Sequence, residues 1–222
     1  MPVRPGSEHG DRDAFLARAR RADPPHSFRS VVTLPRVPVA TPSRPVTDLI
    51  ERFTESVLAA GAQLVRLDDQ TSLATALADI CAAESVHSAV VSRDPECEGV
   101  GGLLTSHGVD VRAPDSPASS AAVDLGVTGA AFGIALTGSL VVAADRAGCR
   151  TASLLPPVHV AIVRVGRLLA TPDELFRHLP RRFPNGMPSN LVLITGPSRS
   201  ADIELQLTLG VHGPRSLWVV LV

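Results

Sequence analysis

From residue 47 onward, short apolar runs rich in β-branched residues alternate with amphipathic segments, and this alternation constrains the fold more than any other feature of the chain. Thr47 opens a segment in which Leu49, Ile50, Phe53, Val57 and Leu58 share one stripe. Gly61 ends it, so the segment is predicted to be a helix. Residues 63–67 read as a strand, Thr71 or Ser72 opens a second helix reaching Ala83, and residues 88–92 and 109–112 read as further strands. Strands separated by helices assemble into a parallel sheet with helices on its faces. Aromatic residues make up only 3% of the chain and tyrosine is absent. The core must therefore be built from Val, Leu, Ile and Ala, the usual content of strands buried on both faces.

The second half changes character. Residues 132–136 and 139–143 flank Thr137-Gly138, which reads as a tight hairpin turn. Residues 158–165 form a nearly all-apolar strand. Thr171-Pro172-Asp173-Glu174 combines a cap, a proline at the first helical position and a glutamate three residues after the cap, which marks a helix start. Residues 190–195 and 216–222 are expected to be buried strands. Residues 203–209 alternate strictly, as a strand does, while 198–202 resemble a helix start. The expectation is a short capped turn that runs into a strand.

Ahead of this region, residues 11–22 place Phe15, Leu16 and Ala19 on one helical face. Residues 23–45 carry Pro24, Pro25, Pro35, Pro38, Pro42 and Pro45. Proline fixes φ and removes a backbone donor, so this stretch is an extended arm. It either wraps the surface of its own chain or makes a homo-oligomer contact. The expected division is an N-terminal helix and Pro-rich arm over 1–45 and one α/β domain over 46–222.

The formal net charge is -1, which argues against nucleic acid as a partner, because phosphate recognition needs a dense basic face. The three cysteines, Cys81, Cys97 and Cys149, form no CxxC pair, so neither a zinc knuckle nor an iron–sulfur run can be written from them. Their odd number and wide spacing point to a reducing, cytoplasmic setting. Residues 1–10 lack the apolar stretch of a signal peptide. The longest apolar run, near residues 140–144, is too short to span a bilayer. No metal-ligand spacing, GxSxG elbow, P-loop or GxGxxG helix start is found. No membrane association, metal or cofactor is therefore expected for this chain.

Three stretches remain that can carry chemistry. Thr195-Gly196-Pro197 is followed by Ser198, Arg199 and Ser200, with Asp202 and Glu204 beyond. An apolar strand ending in such a turn presents backbone N–H groups and polar side chains suited to an anion. Ligands of open α/β sheets sit beyond the carboxyl ends of strands, where this loop is expected. Equally, Ser198 or Ser200 caps a turn and Arg199 pairs with Asp202 or Glu204. Thr128-Gly129 and Thr137-Gly138-Ser139 read as two small-residue turns that would let a ligand approach the backbone, or as ordinary turns. His212 lies in a glycine-rich turn, as an acid/base, an anion-orienting group or a plain hydrogen-bonded loop residue. Arg150 is placed to take a carboxylate or phosphate, or to form a surface ion pair. His159 opens an apolar strand and reads as a satisfied core residue.

Taken in order, residues 126–139, then Arg150 through His159, then Gly196 through Glu204 with Gly210-Val-His-Gly-Pro214, resemble the LUD domain of the lactate-utilisation protein C family. The likeness covers roughly residues 46–222. It implies an α/β fold, mostly parallel with a β-hairpin, similar to ribose-5-phosphate isomerase, glucosamine-phosphate deaminase and CoA transferase. It implies a role in oxidising L-lactate to pyruvate beside an iron–sulfur partner and a second oxidoreductase-like subunit. In one respect the chain departs from the pattern: the acidic residue that often precedes the hairpin Thr-Gly is Leu136 here, so no carboxylate nucleophile is carried over to that position. Three readings follow: a subunit of a lactate-oxidising system that binds a small anion, a stand-alone enzyme on a phosphosugar or acyl-CoA, and a structural or regulatory binding module. The residues leave open whether the chain turns over a substrate itself.

Overall fold

The computed structural model describes residues 17 and 46–222, apart from 69–70, 115, 145–148, 202–206 and 211; at 144, 149, 200–201 and 207–209 only the backbone is described. The chain divides into two compact units, 1–42 and 43–222. All elements named below belong to the second unit. The proposed helix over 11–22 and the Pro-rich stretch lie outside the described residues, save Ala17, which is helical.

Helix α1 (Val46–Ala59) buries Ile50, Phe53 and Val57, one face of the predicted stripe. Leu58 instead stays 54% exposed, because it lies on the flank of that face. Strand β1 (Gln63–Arg66) follows. Helix α2 (Leu73–Glu84) begins at Ser72, whose hydroxyl accepts from the Thr75 amide as an N-cap. Strand β2 (Ser88–Val91), a short 3-10 turn (Pro95–Cys97), helix α3 (Val100–Ser106), strand β3 (Asp110–Arg112) and helix α4 (Pro117–Ala121) come next. Strand β4 (Leu125–Gly129) is buried at every position. The reading of Thr128-Gly129 as a surface turn is thus corrected: both lie in an interior strand.

The hairpin forms where the sequence places it. Strands β5 (Phe132–Ile134) and β6 (Ser139–Ala144) pair antiparallel across the turn at Thr137-Gly138. Helix α5 (Cys149–Ala152), strand β7 (Val158–Val163), strand β8 (Leu168–Leu169) and helix α6 (Pro172–Arg182) follow. Thr171 occupies the cap position of α6 without a side-chain bond. Glu174 accepts from the Ala170 amide, one residue before the cap, at 2.8 Å, so the expected capping box does not form. Strand β9 (Asn190–Ile194) is only partly buried, against the expectation of a buried strand, because it forms an edge. Strands β10 (Arg199–Ala201) and β11 (Leu207–Leu209) pair antiparallel. Residues 199–201 are thus strand where a capped turn was expected. Strand β12 (Ser216–Leu221) ends the fold.

Six strands form one sheet in the order β1-β12-β7-β4-β2-β3, and every neighbouring pair is parallel. One face packs Leu125, Val127, Val160 and Ile162 against Leu77 and Ile80 of α2 and Val100 and Leu104 of α3. The other packs Ala161, Val163, Val219 and Leu221 against Phe53 and Val57 of α1 and Leu140 of β6. A second sheet, β8-β5-β6-β9, therefore covers that face. Its far side receives Leu175 and Leu179 of α6. Each fully buried Leu, Ile or Phe contributes roughly 1.5–3 kcal/mol, and the layers are made almost wholly of aliphatic side chains, as the composition requires. Among the described residues, no helix is long and apolar enough to cross a membrane.

Candidate functional site

Pairing of β7 with β12 sets His159 directly beside Leu217, both at the amino ends of their strands. Two loops close over this point. Gly196-Pro197-Ser198 leaves the end of β9, and His212-Gly213-Pro214 leads into β12. They are joined by the Ser198 amide, which donates to the Pro214 carbonyl at 2.9 Å. Gly196 has φ of +75°, and a Cβ there would lie 2.3 Å from the Ala60 carbonyl oxygen at the end of α1, so only glycine fits this corner. A third wall comes from α5 and the residues after it. This wall presses onto β4 at Gly126, where an added Cβ would meet the Ala152 carbonyl oxygen at 1.8 Å.

The three walls enclose a cavity of about 360 Å³. Its polar groups come from Arg150, Ser153, His159, Asn190, Ser198 and His212. The remainder of the wall is apolar and includes Leu154, Val192, Leu193, Ile194 and Leu217. No Asp or Glu lines it among the described residues, and Arg150 is the described cation in its wall.

His159 is fully buried. Its Nε2 lies 2.8 Å from the Thr128 hydroxyl, while its Nδ1 has no partner. Burial pushes the imidazole down to about 4, so the ring is neutral near pH 7. Thr128 has one proton to give and His159 is its hydrogen-bond partner. If the hydroxyl donates to Nε2, the ring carries its own proton on Nδ1 and offers an unused donor. A neutral, fully desolvated donor without a partner is costly, and His159 is one of the residues that line this cavity.

The structure brings four of the sequence-predicted residues to this cavity: Arg150, Gly196, Ser198 and His212. Thr128 reaches it through His159. Thr137 and Ser139 stand elsewhere, in a chain of hydroxyls with Thr195, each link 2.7 Å long. Gly138 sits in the left-handed turn packed against the α1 backbone at Ser56 and Val57. Ser200 lies in β10 opposite Thr208. Asp202 and Glu204 lie outside the described residues.

Arg199 is turned away from the cavity. Its guanidinium donates to the Ala60 carbonyl at 2.8 Å, placing a cation on the carboxyl end of α1, where the helix dipole favours it. Gly61 leaves the necessary room, since a Cβ there would lie 2.1 Å from the Arg199 guanidinium. Arg199→Ala is therefore expected to lower stability by about 1 kcal/mol, read by urea denaturation, and to leave binding in the cavity unchanged. Lost binding with an unchanged melt would return Arg199 to the site.

The expectation that the loop after Thr195 lies beyond the carboxyl ends of the parallel strands is corrected. Strand β9 belongs to the mixed second sheet, so its end delivers the loop to the amino ends of β7 and β12. The carboxyl ends of β2 and β4 are closed by the turn after β2. There Asp94 accepts from the Gly129 amide at 3.0 Å and the Ser92 hydroxyl at 2.6 Å. Burial beside them pushes the Cys97 thiol up to about 12, which leaves it unreactive. Asp124 accepts from the His87 amide and from the amide and hydroxyl of Ser88. Burial acts to raise its carboxyl, but these bonds outweigh it and hold the group below its ordinary range. It ties β2 to β4 and is absent from the cavity wall.

Sequence reasoning missed Ser153, Asn190 and the role of His159. The signal for His159 was one imidazole in an otherwise apolar strand.

The LUD domain profile matches residues 50–222. An uncharacterized protein of Neisseria meningitidis is 39% identical over 102 residues, 45% of this chain and 42% of that protein. A lactate utilization protein C of Halalkalibacterium halodurans is 37% identical over 100 residues, 44% of each chain. The aligned region thus spans less than half the length of these two relatives. A lactate utilization protein C of Bacillus subtilis is 30% identical over 168 residues, 69% of this chain and 70% of that one. The crystal structure of a DUF162 family protein from Deinococcus radiodurans shares the fold, with a TM-score of 0.59 and 24% identity, over 81% of this chain and 99% of that one. Since the profile runs from α1 to the last strand and takes in every wall of the cavity, the chain belongs to the LUD domain family of the lactate utilization protein C type.

Proposed function

We propose that this chain is a subunit of an L-lactate oxidation system and that it binds a small organic anion in the cavity between β7, β12 and β9. The names of its relatives support a role in lactate utilization. The observation that carries this reading is a fully buried His159 with an unpartnered Nδ1, which lines a cavity together with Arg150. Such a site orients a carboxylate or phosphate by the guanidinium and completes the imidazole with one neutral hydrogen bond. Arg199 is engaged by the end of α1, so this reading takes Arg150, which lines the cavity, as the anion-binding arginine. Any iron–sulfur chemistry is assigned to partner subunits, because the cysteines of this chain form no CxxC and Cys81 and Cys97 are buried.

Deletion of the gene is expected to abolish or strongly slow growth on L-lactate while sparing growth on glucose. Wild-type and Arg199→Ala copies are expected to restore it, and Arg150→Ala is not. The tagged chain is expected to co-purify with iron–sulfur and oxidoreductase subunits. Full growth on lactate without the gene overturns the reading.

A further inference from the structure

The size and lining of the cavity specify more about its ligand than its charge. We infer that the ligand is an amphiphilic organic anion, with an acidic headgroup at Arg150 and His159 and an apolar body along β9, and that it is not the three-carbon acid itself. The inference rests on the reading of the cavity as an anion site and narrows the class of anion.

Volume is the first argument. The cavity holds about 360 Å³, within the range of roughly 300–1,000 Å³ that serves drug-sized ligands buried over most of their surface. Lactate, with six heavy atoms, has the bulk of about four waters at ~30 Å³ each. It would leave roughly two-thirds of the space to solvent. The walls are the second argument. Val192, Leu193, Ile194 and Leu217 are among the lining residues, and water beside their hydrocarbon would lack the polar partners that hold it. The arrangement is also asymmetric. Arg150 and Ser153 come from α5 and the residue after it, and His159 from β7, whereas the apolar run Val192-Leu193-Ile194 comes from one edge strand of the other sheet. Asn190 begins that strand and Ser198 follows it, so the hydrocarbon lies between polar groups, and Arg150 is the described cation among them. Leu154 and Leu193, 49% and 50% exposed, border this cavity as unusually open leucines, and an apolar body would cover them.

The test is isothermal titration of the purified full-length chain with sodium butanoate, hexanoate and octanoate, with L-lactate, and with 1-octanol as the uncharged control. Affinity is expected to rise about fourfold per added methylene until the cavity is full. L-Lactate is expected to bind at least tenfold more weakly than octanoate. 1-Octanol should fall at least tenfold below octanoate. Arg150→Gln should lose at least tenfold for octanoate, and Leu193→Asn should flatten the chain-length gradient while a circular-dichroism melt shows the fold retained. Octanoate binding no tighter than lactate, with the Arg150 dependence intact, overturns this inference and leaves the anion site standing. A chain-length gradient indifferent to Arg150→Gln, or to the loss of charge in 1-octanol, overturns the anion site and this inference with it. So does the failure of every carboxylate to bind.

Discussion

Gly126→Ala is expected to destabilise the chain by about 3 kcal/mol and to weaken any ligand of the cavity at least tenfold. Gly126 is fully buried in β4, beside His159 on β7. A Cβ there would stand 1.8 Å from the Ala152 carbonyl oxygen, 2.8 Å from its carbon and 3.0 Å from Pro156 Cγ. The first two neighbours are backbone and cannot swing aside as a flexible side chain would. To restore a van der Waals contact, the end of α5 must move by roughly 1.5 Å. The same segment carries Arg150 and Ser153, and the Thr151 hydroxyl ties it to Ser120 at 2.9 Å. A binding constellation tolerates about 0.5 Å of misplacement. Stability and affinity should therefore fall together, the first by urea denaturation and the second by titration with octanoate. A variant as stable as the wild type would show that α5 is not seated on β4 as described.

Much of the scaffold is legible in the sequence because its elements are locally consistent. The Ile50-Phe53-Val57 stripe, the Ser72 cap, the Thr137-Gly138 hairpin turn and the apolar run of β7 each follow from a periodicity or a turn chemistry that tertiary contacts reinforce. The misses share a physical cause. Strand β4 carries Gly126 and Gly129, which look like turn residues. They are required instead for close approach, of α5 to one and of the Asp94–Glu96 turn to the other. Helix α3 contains Gly101 and Gly102, whose low helix propensity hid the Val100–Leu104 pair that it buries.

The site was half legible. Arg150, Ser198 and His212 were visible as polar residues in loops. What assembles them is the pairing of β7 with β12 and the placement of a second sheet over one face, long-range facts that no local pattern encodes. Arg199 drew attention by its company of serines, yet its partner is the end of a helix 139 residues earlier in the chain.

His159 and Thr128 give the second large effect, because they set binding against stability. The imidazole has one buried nitrogen, Nδ1, without a hydrogen-bond partner. His159→Leu alone strands the Thr128 hydroxyl and is expected to cost about 1–3 kcal/mol. His159→Leu combined with Thr128→Val replaces both partners with apolar groups of similar shape, and this double variant is expected to match or exceed wild-type stability at pH 7. Its affinity for octanoate should nevertheless fall at least tenfold, since the open hydrogen bond is gone. The pH profile separates the two states further. The ring titrates at about 4 in the folded protein against 6.5 in an ordinary setting, because burial disfavours its charged form. Between those values the unfolded chain holds the proton and the folded chain does not. Stability from this group is therefore fully present above pH 6.5 and declines as pH falls toward 4, by about 3 kcal/mol in all. Urea midpoints measured from pH 7 down to pH 4 should show this component in the wild type and lack it in the double variant. If the two profiles ran parallel, His159 would be solvated or paired in the folded state, and the cavity would lose the group that marks it as a site.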